Sequence, residues 1–384
     1  MYKYFIIIFT GIILIPVSCI TPFEPDGKEE IEGLLVVEGT IMDKGTTITL
    51  SRAISPFNSS TDSAIAEIKK VYGARVHVID DKNTIVAVAE QQIIDGEETS
   101  RYIVDGEITF TPGTKYALSI QIGEKRYQSA FVSPVFTPDI DEINWRKNPD
   151  GSMDIMVSTH DPLNQTEYYR WAFEEDWEIR SHLFASSRYE GGAIIAHSMF
   201  TSNNRYYCWV SEKSKSIILG TSDRHTEATI KDKVIHSFPD YNSRFSYLYS
   251  ILVKQYGLDR EAYIYYENLQ KNIDFSGSLF SPIFTEIKGN ISCVSNPDET
   301  VIGYITATNE VVTRVFIDMT AIDGEDWYDC ENTRTFNYSQ LVNMFSLGYG
   351  IISGQYECAP VRCVDCTKRG GTKNKPDFWP NDHL

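Results

Sequence analysis

Short segments in which hydrophobic and polar residues alternate fill the first third of the chain. In residues 116–122 a large apolar residue stands at every second position, which places these side chains on one face of a strand. Turn residues such as Asp81-Lys82-Asn83 and Gly123-Glu124 separate the segments. The pattern predicts a β-sandwich over residues 34–135. Its expected strands are Leu34–Thr40, Thr46–Ser51, Arg75–Asp80, Thr84–Glu90, Arg101–Val104, Lys115–Ile122 and Lys125–Phe131.

One local pattern refines the class of this first domain. Gly113, Tyr116 and Leu118 form the sequence Gly-x-x-Tyr-x-Leu, which is typical of a strand in immunoglobulin-like domains. We expect the Tyr116 hydroxyl to bond back to the main chain, as a corner tyrosine does. The first domain is therefore predicted to be an immunoglobulin-like β-sandwich.

A boundary rich in proline, from Ser133 to Asp139, precedes a second β-rich domain, predicted over residues 136–384. Its strongest strand signal is YYRWAFEEDWEIR, residues 168–180, in which the apolar face is interrupted only by Glu175. This carboxylate has two interpretations. It could face a ligand or act in catalysis, or it could be tied to an arginine or a tyrosine hydroxyl within the structure, and we favour the structural role.

The second domain is expected to carry a helical insert at about residues 243–274. Apolar residues from Phe245 to Tyr256 recur at helical spacing, and Asp259 can cap a second helix, so the segment predicts a helical pair. The second helix carries Tyr263 and Tyr265 on different sides. We expect one side to pack and the other to be available to a ligand or partner, with packing on both sides as the favoured alternative.

The N-terminus predicts export. Residues 1–18 combine Lys3, an apolar run and a small residue before Cys19, as in a secretory signal peptide. A cysteine after the cleavage site resembles a bacterial lipoprotein signal, although Pro16 stands where leucine is usual. That resemblance implies lipidation of Cys19, with residues 19–33 as a tether. A plain signal peptide with an incidental cysteine, or an N-terminal membrane anchor, are the alternatives.

Length and charge restrict the remaining possibilities. A chain of 384 residues favours two domains. The formal net charge is −18, so the basic footprint of a nucleic-acid-binding protein is absent and no nucleic-acid partner is expected. An anionic membrane surface would repel such a body as a whole. The partner that we expect at the bilayer is therefore bound through the acylated Cys19.

Six further cysteines predict disulfides, because an even number in an exported chain indicates oxidation. Sequence alone does not choose their pairing. Zinc is the alternative for Cys363-x-x-Cys366, which has ligand spacing but lacks a nearby second pair. Three of these cysteines belong to a tail predicted to be disulfide-stapled, residues 356–380. The six are Cys208, Cys293, Cys330, Cys358, Cys363 and Cys366.

Catalytic motifs give little support to an enzyme. The chain contains neither Gly-x-Ser-x-Gly nor His-Glu-x-x-His, and no two histidines stand at metal-ligand spacing on a predicted helix. We therefore expect no cofactor, no metal and no catalytic residue, and lean towards a protein that is not an enzyme. A surface hydrolase that uses carboxylates such as Glu175 is the alternative.

Several spaced motifs follow one another over nearly the whole mature chain. They are Leu34-Leu35-Val36-Val37-Glu38-Gly39, Tyr169-Arg170-Trp171, Glu174-Glu175, Trp177, Cys208-Trp209, Leu219-Gly220, Gly289-Asn290-Ile291-x-Cys293, Cys363-Val364-Asp365-Cys366, Gly370-Gly371-Thr372 and Lys375-Pro376-x-Phe378-Trp379-Pro380. In this order the motifs resemble a family of Bacteroidota outer-membrane lipoproteins known as domain of unknown function 4249. Members of that family are often encoded beside TonB-dependent transporters.

The resemblance implies a lipid-anchored binding or accessory subunit at the outer membrane, working with a TonB-dependent transporter. Lys28-Glu29-Glu30 resembles the signal that sends some Bacteroidota lipoproteins to the cell surface, so surface exposure is expected, with a tether that is merely charged as the alternative. Besides the hydrolase, a structural or adhesive surface module is an alternative, in which the N-terminal sandwich would be the working part.

Overall fold

The fold is mainly β, as the alternation predicts. In the computed structural model strands account for 53% of the described residues and helices for 11%. The structure describes residues 33–53, 69–190, 193–196, 198, 205–223, 226–239, 243–275, 288–318, 330, 333–352 and 356–380. The predicted signal peptide, Cys19 and the tether up to residue 32 lie outside this range.

Strands and helices follow one another along the chain in a fixed order. The strands are β1 (Leu34–Met42), β2 (Thr47–Ala53), β3 (Lys69–Lys70), β4 (Arg75–Asp80), β5 (Ile85–Ile94), β6 (Glu97–Val104), β7 (Tyr116–Ile122), β8 (Lys125–Ser129), β9 (Ile140–Lys147), β10 (Met153–His160), β11 (Tyr168–Arg180), β12 (Ser187–Glu190), β13 (Ala193–Ala196), β14 (Tyr207–Lys213), β15 (Ile218–Thr221), β16 (Thr229–Phe238), β17 (Leu248–Leu258), β18 (Ile291–Cys293), β19 (Val301–Ile302), β20 (Ala307–Thr308), β21 (Glu310–Asp318), β22 (Arg334–Thr335), β23 (Tyr349–Ile351) and β24 (Glu357–Pro360). The α-helices are α1 (Arg260–Phe275), α2 (Tyr338–Ser346) and α3 (Val361–Val364).

The first β body is a single sheet of eleven strands within the described ranges, and all seven predicted strands are present in it. The order is β18-β8-β7-β4-β5-β6-β2-β1-β19, with β20 beside β1 and β3 beside β2. Side chains from across the sheet, such as Leu35, Val78 and Leu118, share one core. The alternation of the sequence produces this core because every second side chain points inwards.

The two ends of this sheet meet. Asn290, just before β18, donates its backbone N–H to the carbonyl oxygen of Gly303, just after β19, at 3.2 Å. The Asn290 side chain also bonds both backbone groups of Ile305, each at 2.8 Å. Gly303 has φ +141°, and a Cβ there would lie 2.2 Å from the Val37 carbonyl oxygen. The close approach therefore requires glycine, and the closure covers edges that would otherwise be open to other chains.

Strands β18, β19 and β20 come from residues 291–308, so the predicted boundary at residue 135 omits part of the first β body. Local alternation cannot reveal strands that return from so far along the chain. The Tyr116 hydroxyl does bond back to the main chain as expected, because it accepts the Thr111 N–H at 2.8 Å. The immunoglobulin-like arrangement itself stays a prediction.

The second β body stacks two sheets over an aromatic core. In the described residues one sheet has the order β16-β10-β9, and the other has β14-β11-β17-β21 with β15 also beside β11. Alternate residues of β11, including Trp171 and Phe173, pack with Ile155 from the smaller sheet and Ile251 from β17. This confirms the predicted apolar face of residues 168–180.

Of the predicted helical pair, the second helix is present and the first is wrong. Its second member exists as α1, capped by the Asp259 carboxylate, which accepts the Ala262 N–H at 2.7 Å. Its first member is β17, a central strand between β11 and β21. Most of β17 is buried, so apolar residues occur at nearly every position and coincide with helical spacing by chance. An apolar run of this length cannot be assigned from periodicity alone.

Two disulfides fix the tail in the described part of the chain. Cys208 of β14 is bonded to Cys366, and Cys330 to Cys363. Thr372 adds two backbone hydrogen bonds to Trp209, each of 2.8 Å, and so covers the outer edge of β14. The prediction of a disulfide-stapled tail is confirmed.

Candidate functional site

A groove suited to a ligand lies where the chain crosses from the first β body to the second. We call it the joint groove, and its volume is about 550 Å³. Phe136 and Leu163 are 63% and 71% exposed beside it. Pockets at the interface of two folded bodies are common binding sites. The groove is lined by residues 134–139, 141, 160–163, 165 and 166.

The wall of the groove is held by a network of buried hydroxyl and amide groups around Thr137. Its hydroxyl lies 2.9 Å from that of Thr308 and donates to the Asn309 carbonyl at 2.7 Å. The Asn309 side-chain oxygen accepts the Thr137 N–H at 2.8 Å. The two chain segments that cross between the bodies are therefore bonded to each other, and the network rigidifies the joint because the Thr137 and Thr308 hydroxyls are buried and satisfied.

Gln255 of β17 ties the same segment to the second core. Its side-chain nitrogen donates to the Pro138 carbonyl at 2.8 Å and to the Thr159 hydroxyl at 3.0 Å. Its oxygen accepts the Trp171 indole N–H at 2.8 Å. Gln255 is fully buried, and these bonds use both ends of the amide. The groove thus rests on a preformed framework.

The opposite wall is shaped by Asp161, whose carboxylate accepts backbone N–H groups from Leu163, Gln165 and Thr166 at 2.8–2.9 Å. Burial alone would raise the pKa of Asp161, but these hydrogen bonds lower it below its ordinary value. Next to it, His160 Nδ1 lies 2.7 Å from Asp141 Oδ1. That hydrogen bond and the charge of Asp141 raise the pKa of His160. The groove combines carboxylates with apolar surface, which suits a ligand that offers a positive charge and an apolar group.

Glu175 lies elsewhere, inside the second β body, and its carboxylate is enclosed at 2% exposure. It accepts the Tyr249 hydroxyl at 2.9 Å and the Arg244 Nε–H at 3.2 Å, and His236 Nε2 is 3.6 Å away. Burial would raise the pKa of Glu175, but His236, Arg244 and Tyr249 together lower it. Burial and the Glu175 charge raise the pKa of Tyr249. The favoured structural interpretation fits these contacts.

The two tyrosines expected to meet a partner pack within the protein. Tyr265 is buried, and its ring centroid is 4.9 Å from that of Tyr304. Tyr263 is half-buried and lies 5.1 Å from the Tyr168 ring. A partner surface that includes Tyr265 is therefore wrong. Helix α1 needs aromatic side chains on more than one side because it fills the angle between the second β body and the loop at Tyr304.

The cysteine predictions divide into two groups. Cys208, Cys330, Cys363 and Cys366 form the two disulfides, whereas Cys293 and Cys358 are buried free thiols, so these two candidates are corrected. Burial raises the pKa of Cys358. The zinc alternative also fails, because Cys363 and Cys366 are each bonded to a different cysteine. Within the described ranges no group of three His, Cys, Asp or Glu side chains is placed to hold a metal ion.

Sequence reasoning missed the joint groove. It interpreted residues 133–139 as a boundary, and that description holds locally. The groove exists because β10 and β20 bring its lining segments together, a juxtaposition that no local pattern encodes. The one available signal was the concentration of Pro134, Pro138 and Pro162 around exposed apolar residues.

Fold and groove together define a β-rich protein of two joined bodies with a disulfide-fixed tail and a groove at the joint. A family model, Domain of unknown function (DUF4249), matches residues 20–314. The match covers more than half of the chain, so the chain belongs to this family. A search of curated proteins finds no match. In the described part of the chain, none of the helices has the length and apolar character needed to cross a membrane.

Proposed function

We propose that this chain is a lipid-anchored binding subunit of the outer membrane, exposed at the cell surface and working beside a TonB-dependent transporter. Acylated Cys19 would hold it at the bilayer, and the joint groove would contact the ligand or the transporter. The observation that carries the proposal is the groove itself, which is preformed on the hydrogen-bonded framework around Thr137 and Gln255. A preformed site loses little entropy on binding.

Chemistry of the groove supports binding by charge and apolar contact. Phe136 and Leu163 offer apolar surface, and the exposed Asp139 offers negative charge. A ligand or a segment of a partner with an aliphatic or aromatic group next to a lysine, arginine or amine would match both. Aromatic and aliphatic anchors of this kind dominate binding energy when they become buried.

The hydrolase alternative named Glu175 as its working carboxylate. That side chain is committed to Tyr249 and Arg244 and lies within the core, which leaves the alternative without its motivating residue. The structural or adhesive module remains an alternative, with the first β body as its working part. An accessory subunit is favoured over it because a concave groove with mixed chemistry is present.

Affinity purification of the tagged, lipidated protein from outer membranes tests the proposal, with mass spectrometry of the captured proteins. We expect a barrel transporter to be enriched. The double variant Phe136→Ser and Leu163→Ser should abolish the enrichment, whereas Ile264→Ser, at an exposed position on α1, should preserve it. Capture without any barrel protein would count against the transporter. Equal enrichment by both variants would count against the groove. Protease treatment of whole cells would determine which side the protein faces.

A further inference from the structure

The first β body has two distinct ends. Strand β1 enters the sheet at Leu34, directly after the tether, and ends at Met42, which pairs with Thr308 at the joint. The nine residues of β1 span about 26 Å at ~3.3 Å per residue. The tether therefore attaches at the end opposite to the joint groove. We call this the tether end.

Strand register places the β5–β6 hairpin turn at the tether end. Leu34 pairs with Ala53, so β2 runs towards this end. Strand β6 is antiparallel to β2, with Arg101 opposite Thr49. Residues before Arg101, including the turn at residues 95–96, therefore lie beyond Thr49 in the direction of Ala53. The last residues of β5 are carried to the same end.

Large apolar side chains are exposed there. Ile93 and Ile94 stand next to the hairpin turn, at 64% and 47% exposure, and Leu34 is 39% exposed. Val294 is exposed at the same end. Cys293 pairs with Tyr127 near the start of β8, and the chain continues from that pair towards the tether end. Exposed apolar residues that gather at one end of a body indicate a contact surface.

Charge around the β5–β6 hairpin is more balanced than in the chain as a whole. The acids of the hairpin, Asp95, Glu97 and Glu98, are matched in number by Arg52, Lys69 and Lys70 on the ends of β2 and β3. The chain as a whole carries −18. An anionic lipid surface would repel the acidic body, and the repulsion is smallest where cations offset the acids.

We infer that the tether end lies against the lipid bilayer, with Ile93 and Ile94 in the headgroup region. The inference rests on lipidation of Cys19 in the proposed function. Leu34 follows Cys19 by fifteen positions, so the acyl chains hold this end within at most about 50 Å of the bilayer. Apolar side chains in the interface gain burial, and the first β body then acts as a spacer that presents the joint groove away from the membrane.

Tryptophan scanning along β5 tests this orientation. Ile93→Trp places a fluorophore at the tether end, and Ile85→Trp places one at the joint end of the same strand, at a similarly exposed position. The lipidated variants are reconstituted in phosphatidylethanolamine–phosphatidylglycerol vesicles, with or without brominated acyl chains. The signal of the six native tryptophans is subtracted using the unsubstituted protein. Both sites are exposed, so equal melting temperatures should confirm folding.

We expect bromine to quench the Ile93→Trp emission at least twofold and to leave that of Ile85→Trp unchanged. Equal quenching of the two variants, or none in a protein that floats with the vesicles, would overturn the orientation and leave the anchor intact. A protein that carries no acyl group and does not float would refute the anchor, and with it this inference.

Discussion

Replacing Glu175 by alanine removes one carboxylate from a closed set of partners. The Tyr249 hydroxyl is fully buried and donates to it at 2.9 Å, and the Arg244 Nε–H donates at 3.2 Å. The variant leaves a hydroxyl and a guanidinium in the core without this acceptor. The cost is therefore more than the loss of two hydrogen bonds, because desolvated groups are left unsatisfied.

The expected size follows from the surroundings of each partner. Removing one partner of a buried ion pair costs about 3–5 kcal/mol. Arg244 retains Glu212 and its side chain is partly exposed, so the figure should lie near the lower limit. The unsatisfied Tyr249 hydroxyl adds about 1–3 kcal/mol. We expect a loss of about 4–6 kcal/mol in the free energy of unfolding, and a melting temperature lower by several degrees.

Urea unfolding followed by tryptophan fluorescence measures the change, and Glu212→Ala supplies the control. Glu212 contacts the same arginine but is half exposed, so its removal should cost no more than about 1 kcal/mol. Tyr249→Phe completes a double-mutant cycle with Glu175→Ala. The double variant should lose less stability than the sum of the two single variants, because each single variant already removes the same hydrogen bond.

A Glu175→Ala protein that unfolds at the same urea concentration as Glu212→Ala would contradict the structural role of Glu175. A variant of unchanged stability that had lost transporter capture would instead return Glu175 to the functional interpretation.

Three further predictions concern closure, oxidation and pH. Gly303→Ala should destabilise the protein by at least about 2 kcal/mol in urea unfolding, because a Cβ meets the Val37 carbonyl and φ is positive. Cys208→Ala together with Cys366→Ala should cost about 2–5 kcal/mol, since the bond spans a sequence separation of 158. The pKa of Asp161 is lowered in the folded protein, so its contribution to the free energy of unfolding is full above the ordinary pKa of 3.8 and is lost as pH falls through the folded pKa. Asp161→Asn should therefore reduce the fall of the melting temperature at acid pH, measured in melts at successive pH values.

Each of these three predictions has a control or an outcome that would contradict it. Gly123→Ala is a turn substitution at positive φ with open space around the Cβ. A loss of stability equal to that of Gly303→Ala would mean that the positive φ, and not the contact with the Val37 carbonyl, sets the cost. Cys293→Ser alters a free thiol, and the stability difference between oxidised and reduced protein should survive it. An acid transition of Asp161→Asn identical to that of the unsubstituted chain would show that other carboxylates dominate.

Glu175 illustrates what the sequence could and could not predict about the candidate residues. Glu175 stood out because it alone interrupted an apolar face, and the suggested partners, an arginine and a tyrosine, are those observed. The partners Arg244 and Tyr249 could not be named, because they reach Glu175 only through the pairing of β11 with β17. The same pairing explains why the β17 segment was mistaken for a helix. Burial on both faces removes the alternation that identifies a strand.

Local patterns in the sequence determined which short segments of the first domain are strands, the cap of α1 and the apolar face of β11. These follow from side-chain period and turn chemistry, which act over a few residues. Tertiary structure alone decided the closure of the first sheet by residues 289–305, the choice of cysteine partners and the joint groove. Each of these depends on segments far apart in the chain, and their meeting is fixed by the packing of whole sheets rather than by any neighbouring residues.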